Sequence, residues 1–187
     1  MSRLMKELQR DHKRIDRVLS LLEAQLDELA GDGDPDLALM QDALDYVEHY
    51  PDLVHHPRED VVYMAFRRRS LDANEIIDAL LKEHASMPAM TREFRELVDE
   101  AVNDALVIPR ETLVNKGRRY TKAQRSHLNT EEGLLFPLLK ATLDADDWEA
   151  LEALMPAPRD PMFDAELGRY SQLYAYIKSR ETVAGPA

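Results

Sequence analysis

Apolar positions along this chain recur at the spacing of helices. From Leu4 to about Leu29 the series Leu4, Leu8, Ile15, Val18, Leu19, Leu22, Leu26 and Leu29 lays one apolar stripe along a first helix. Gly31-Asp32-Gly33-Asp34-Pro35 ends it. The pattern predicts a second helix from about Asp36 to Arg69, interrupted by Pro51 and Pro57. Ser70 is a suitable N-cap for a third, from Leu71 to about Asn103 with Pro88 inside it. Pro109 suits the first turn of a fourth, continuing to about Leu143. Four long arms with short connections predict an all-α fold, a four-helix bundle over residues 1–145. A C-terminal helical extension over 146–187 is expected to pack on it. In that extension Asp146–Met155 reads as a short helix, Pro156, Pro158 and Pro161 as a break, and Asp164–Arg180 as a last helix. Its stripe of Tyr170, Leu173, Tyr174 and Ile177 is expected to cover the bundle's side or to form the self-association face of a homodimer. Ala184–Ala187 is expected to fray.

Composition narrows the function classes. A hydrophobic fraction of 44% over 187 residues supports one ordinary core. The net charge of −12 argues against a nucleic-acid partner, whose binding draws on clustered Lys and Arg. The basic groups Arg67-Arg68-Arg69 and Arg118-Arg119 read as solvated helix faces. The absence of cysteine excludes disulfides, thiolate metal sites, iron–sulfur clusters and a thiol nucleophile. No apolar run has the length of a signal peptide or a membrane span, so a soluble, cytoplasmic protein is expected.

The chemistry lies in a repeat. His12 precedes His55 by 43 residues, and His84 precedes His127 by the same 43. In both halves a glutamate follows four residues later, as His55/Glu59 and His127/Glu131. Residues at i and i+4 share one face of a helix, so two such pairs and two lone histidines can converge inside a bundle. Four imidazoles and two carboxylates are too many ligands for tetrahedral zinc and too rich in nitrogen for Ca²⁺ or Mg²⁺. They make a dinuclear inventory, with iron the first choice and manganese behind it. Two unit charges 4 Å apart repel by ~4 kcal/mol at an effective dielectric of 20, and two divalent ions by about four times that. Bridging carboxylates with an oxo or hydroxo anion are therefore required. A competing register, His56/Asp60 with His49 seven residues before His56, is disfavoured by the equal spacing of the two halves. His49 and His56 are then expected to face solvent or to stand behind the ligands. Asp60 and Glu132, the acids following each motif, read first as solvated surface residues, with acceptance of a hydrogen bond behind the ligands as the other reading.

The order His12, His55-x3-Glu59, His84, His127-x3-Glu131 resembles the hemerythrin-like (HHE cation-binding) family over about residues 4–143. The runs His55-His56-Pro57-Arg58-Glu59-Asp60 and His127-x3-Glu131-Glu132 with Phe136-Pro137 carry the resemblance. It implies an antiparallel up-down bundle around a non-heme di-iron centre. In that arrangement His12 and His55 bind one iron, His84 and His127 the other, and Glu59 and Glu131 bridge them. The roles it implies are binding or sensing of O₂, peroxide, nitric oxide or iron, in oxygen, redox or iron homeostasis. A peroxide-disproportionating di-iron enzyme and a helical interaction domain without metal are the alternatives. The chain departs from the oxygen carriers of this family at Leu80, which stands where they have a fifth histidine, one turn before His84. That leaves a position for solvent, an exogenous ligand or another side chain such as a tyrosine, and favours sensing or redox turnover over oxygen carriage. Pro57, between His55 and Glu59, predicts a kink or bulge.

Overall fold

A computed structural model of the chain describes residues 2–31, 33–103, 108–164 and 168–184. Every regular element among these residues is helical. They are α1 (Arg3–Ala30), α2 (Leu37–His49), α3 (His56–Arg67), α4 (Asn74–Val102), α5 (Arg110–Thr130), α6 (Phe136–Thr142), α7 (Ala145–Leu154) and α8 (Ser171–Ala184). Two π-helical turns, Pro51–His55 and Glu131–Leu135, join α2 to α3 and α5 to α6. Four arms result, and α1 packs on α5 and α2, while α4 packs on the same two. No described helix is long and apolar enough to cross a membrane.

Local chemistry sets the ends. Ser2 Oγ accepts from the Met5 N–H at 3.0 Å and Asp36 from the Leu39 N–H at 2.9 Å, each satisfying a donor the first turn leaves free. Ser70 does not cap the third arm. Its hydroxyl accepts from the Asp72 N–H at 3.1 Å in a local turn, and α4 begins at Asn74 behind Ala73. The last helix likewise starts later than its pattern indicates, at Ser171. Asp164 is held instead in a turn, where its carboxylate binds Arg14 at 2.8 Å and accepts from the Asp160 N–H at 3.2 Å. The expected fraying beyond Ala184 falls outside the described residues.

The apolar core is divided. Leu4, Met5 and Leu8 of α1 pack with Val62 and Phe66 of α3, Ile77 and Leu80 of α4, Phe136 and Leu139 of α6 and Trp148 of α7. The rest of α1, Ile15 through Leu29, packs with α2, with Phe94 and Val98 of α4, with Leu113 of α5 and with Tyr170, Leu173 and Ile177. The C-terminal aromatic stripe thus covers the bundle's side. Two buried carboxylates anchor it: Asp45 takes Tyr170 at 2.7 Å and Arg169 at 2.6 Å, and Asp160 takes Tyr46 at 3.0 Å and Arg14 at 3.1 Å. Between the two apolar clusters lies a polar layer, crossed by all four arms.

Close approach of the arms depends on one glycine. A Cβ on Gly117 of α5 would stand 2.5 Å from Leu26 Cδ2 and 2.8 Å from Phe94 Cζ. Gly117→Ala should therefore destabilise the chain by about 1–2 kcal/mol, because overpacking outweighs the gain in helix propensity. Urea denaturation reads this directly, and an unchanged or higher midpoint would refute the close crossing of α1, α4 and α5.

Candidate metal centre

The polar layer is built by one histidine each from α1, α4 and α5, and by the arm that contains Pro57. In a regular helix the residue at 57 would donate to the carbonyl of Leu53, but proline has no N–H and its ring collides there. The chain avoids the conflict with a π turn over Pro51–His55, in which the His55 N–H reaches back to Tyr50 O at 3.1 Å and the His56 N–H to Pro51 O. The bulge foreseen at Pro57 thus lies just before it. A second π turn, Glu131–Leu135, precedes Pro137 by the same two residues and was not foreseen.

His12, His55, Glu59, His84, His127 and Glu131 all meet in this layer, and all are buried. Glu59 Oε1 lies 3.1 Å from His12 Nε2 and 3.3 Å from His55 Nε2, while its Oε2 lies 3.6 Å from His84 Nε2. Glu131 is placed in the opposite sense: Oε2 is 3.3 Å from His12 Nε2, and Oε1 is 3.4 Å from His84 Nε2 and 3.2 Å from His127 Nε2. Each glutamate therefore shows one oxygen to the His12/His55 side and the other to the His84/His127 side. The Tyr63 hydroxyl, fully buried, donates to Glu131 Oε1.

His56 was expected at the surface or behind the ligands, and its ring lies within the layer. It is 3% exposed, stacks on His84 with ring centroids 4.6 Å apart, and forms a compact donor group with Glu59, His84 and His127. His12, His55 and Glu59 form a second such group. His49 does face solvent, with Nδ1 donating to the Asp45 carbonyl at 2.8 Å. Leu80 is an apolar core residue below His84.

Behind every imidazole of the layer stands a carboxylate. His12 Nδ1 donates to Glu132 at 3.0 Å, His127 Nδ1 to Glu83 at 2.8 Å, and His84 Nδ1 to Asp60. His55 Nδ1 faces Asp11 at 3.6 Å, and His56 Nδ1 faces Asp52 at 3.5 Å. Asp60 and Glu132, read from the sequence as surface acids, thus orient histidines of other arms. Spacing could not reveal this, because each partner sits on a different helix. The Tyr50 hydroxyl, 3.0 Å from Asp11, fixes that carboxylate in turn.

The electrostatics are those of a site waiting for cations. Burial disfavours charge on His12, but Glu131, Glu132 and Glu59 hold its pKa well above the ordinary value. His84 is raised to about 10, with Asp60 and Glu131 overcoming burial. Glu59 is held down at about 2 by His55 and His12, although burial and the Glu131 charge both push it up. Protons on imidazole thus balance the two glutamates in the metal-free chain. His56 alone among the five is pushed well down, by burial and by His84 and His55.

The residues fit bound metal, with two donor groups each able to hold an ion. His55 Nδ1 and Nε2, Glu59 Oε2 and Glu131 Oε2 are buried without hydrogen-bond partners, a costly arrangement that cation binding would relieve. Five imidazoles stand inside seven carboxylates (Glu59, Glu131, Asp11, Asp52, Asp60, Glu83 and Glu132), an arrangement whose negative charge favours bound cations.

A helical scaffold whose arms converge on a buried histidine–glutamate layer defines a cation-binding helical protein. The chain belongs to the hemerythrin HHE cation-binding domain family, whose description matches residues 3–139, from the start of α1 into α6. A search of curated proteins found no match to it.

Proposed function

We propose that this chain is a non-heme di-iron protein that binds or senses a small ligand, O₂, peroxide or nitric oxide, in oxygen, redox or iron homeostasis. The observation that carries the reading is the placement of Glu59 and Glu131, each turning its two oxygens to opposite histidine groups. His12 and His55 would hold one ion and His84 and His127 the other, with Glu59 and Glu131 the residues that could serve both. Residues 1–145 act as an antiparallel up-down bundle and 146–187 as an extension on its side.

Bound there, two irons would supply one-electron redox steps and a coordination position for a small ligand. The protein's own part is to position and to insulate. The carboxylates behind the Nδ1 atoms hold each ring so that Nε2 points inward. Tyr63 keeps Glu131 in place as a neutral hydroxyl donor; burial and the charges of Glu59 and Glu131 push its pKa well up. A surface cleft of about 440 Å³, lined in part by Gln9, His12, Leu128, Asn129 and Glu132, reaches the outer edge of His12. Glu132, part-exposed there, accepts from His12 Nδ1 and so keeps the proton on that nitrogen, leaving Nε2 as the one that can face a cation.

Elemental analysis of protein supplied with Fe²⁺ anaerobically tests the reading, with an optical spectrum before and after exposure to air. About two irons per chain, with near-ultraviolet bands that reduction removes and air restores, is the expected result. No uptake of Fe²⁺ or Mn²⁺ would overturn it.

A further inference from the structure

Resting on the dinuclear reading, we infer that His56 is a fifth imidazole ligand, so that one metal ion is held by His56, His84 and His127 and the other by His12 and His55. Sequence spacing disfavours His56 as a ligand, since adjacent residues on a regular helix differ by about 100° and His55 and His56 would not both face inward. The π turn over Pro51–His55 removes that restriction, and the structure buries both rings.

Three observations converge on the assignment. A donor atom of His56 lies within 4.8 Å of donor atoms of Glu59, His84 and His127, so one ion can touch all four side chains. The ring lies between other imidazoles, 4.6 Å from His84 and 5.4 Å from His127 between centroids, where a merely structural residue would be apolar. Behind it, Asp52 is buried with both carboxylate oxygens unpartnered, and His56 Nδ1 is buried without a partner too.

A metal bound at Nε2 accounts for these orphaned groups together. Neutral imidazole has one protonated nitrogen, so metal at Nε2 places the proton on Nδ1, which faces Asp52 at 3.5 Å and can donate to it. Asp52 then does for His56 what Glu132, Glu83 and Asp60 do for the other rings. The pair is unequal in consequence: three nitrogens on one ion and two on the other.

Zn²⁺ added to the metal-free chain, followed by long-range ¹H–¹⁵N spectra of the imidazoles, tests this in the native sequence. Metal-bound nitrogens shift in a characteristic direction, and the expected result is such a shift at Nε2 of His56 as well as of His12, His55, His84 and His127. Shifts at those four with His56 unchanged would overturn the assignment and leave the dinuclear centre standing. No shift at any of the five would overturn the dinuclear reading itself, and this inference with it. In calorimetric titration of His56→Gln with Zn²⁺, one of the two binding events should weaken by at least ~10-fold while the other persists. Two unweakened events in a folded His56→Gln chain would also overturn it, with His49→Ala as the control whose binding stays unchanged.

Discussion

Glu131→Ala will remove the metal-induced stabilisation of this chain almost completely. In the native protein, free Fe²⁺ at a thousand times its dissociation constant should raise folding stability by about 4 kcal/mol per site, since the metal binds the folded chain alone. That corresponds to several degrees or more in the melting temperature. Glu131 touches both halves of the layer, through His12 on one side and His84 and His127 on the other. Without it two cations would share one bridging carboxylate against a mutual repulsion of order ten kcal/mol or more. Thermal melting with and without Fe²⁺ under nitrogen reads the effect, and elemental analysis should give less than about one iron per chain. Glu132→Ala, which touches only His12 from outside, should weaken binding about tenfold and keep both ions. Two retained irons in Glu131→Ala would sink the bridging role.

The second large effect is on pH. In the metal-free chain His84 has a folded-state pKa raised from 6.5 to about 10, so its contribution to stability is complete below pH 6.5 and disappears as pH rises through about 10. His12 is raised well above 6.5 by its glutamates and behaves in the same sense. Glu59 is lowered to about 2, and its contribution holds above pH 4.5 and is lost as pH falls through about 2. His56, pushed well below 6.5, works against the fold in acid, because the unfolded chain takes up its proton first. Metal-free protein should therefore lose stability towards alkaline pH. Metal displaces the imidazole protons, so affinity should rise with pH, about tenfold per pH unit for each proton released. With His84 charged near neutrality, this amounts to at least about tenfold per unit there. Melting curves with and without Mn²⁺ from pH 6 to 9 should separate progressively. A constant gap would mean that the histidines of the layer do not surrender protons to metal.

The repeat made the four arms, and the histidine and glutamate positions on them, legible from the chain alone, because each lies on a face set by helical period. The fifth ring was not, because periodicity assumes a regular helix. Pro57 was the available signal for irregularity, and its consequence, an extra residue in the turn that lets two consecutive histidines share the interior, follows from geometry rather than pattern. Pro137 carries the same signal for the second π turn, Glu131–Leu135. Asp11, Asp52, Asp60, Glu83 and Glu132 could not be assigned for a different reason. Four of the five contacts with the ring nitrogens span helices, and the fifth, Asp52 to His56, crosses the distorted turn. The late start of α8 was hidden because the carboxylates of Asp160 and Asp164 are used in turns and ion pairs, and apolar spacing does not register them.

The division of the core has a mechanical side. The two arms that carry the glutamates are also the ones whose helical hydrogen-bond ladder is broken by π turns, and both breaks adjoin the polar layer. Well-packed apolar clusters above and below resist deformation, and the helical ladder beside the layer is already interrupted at the two π turns and at Pro88 of α4. A change in ionic radius or coordination at the centre would be taken up at these interruptions sooner than in either apolar cluster. α7 lies against α3 and α1 at that end of the molecule, with Arg69 reaching Asp144 and Asp147 beside it. Through α3, such a change at a bound cation would be felt first where α3 meets α7.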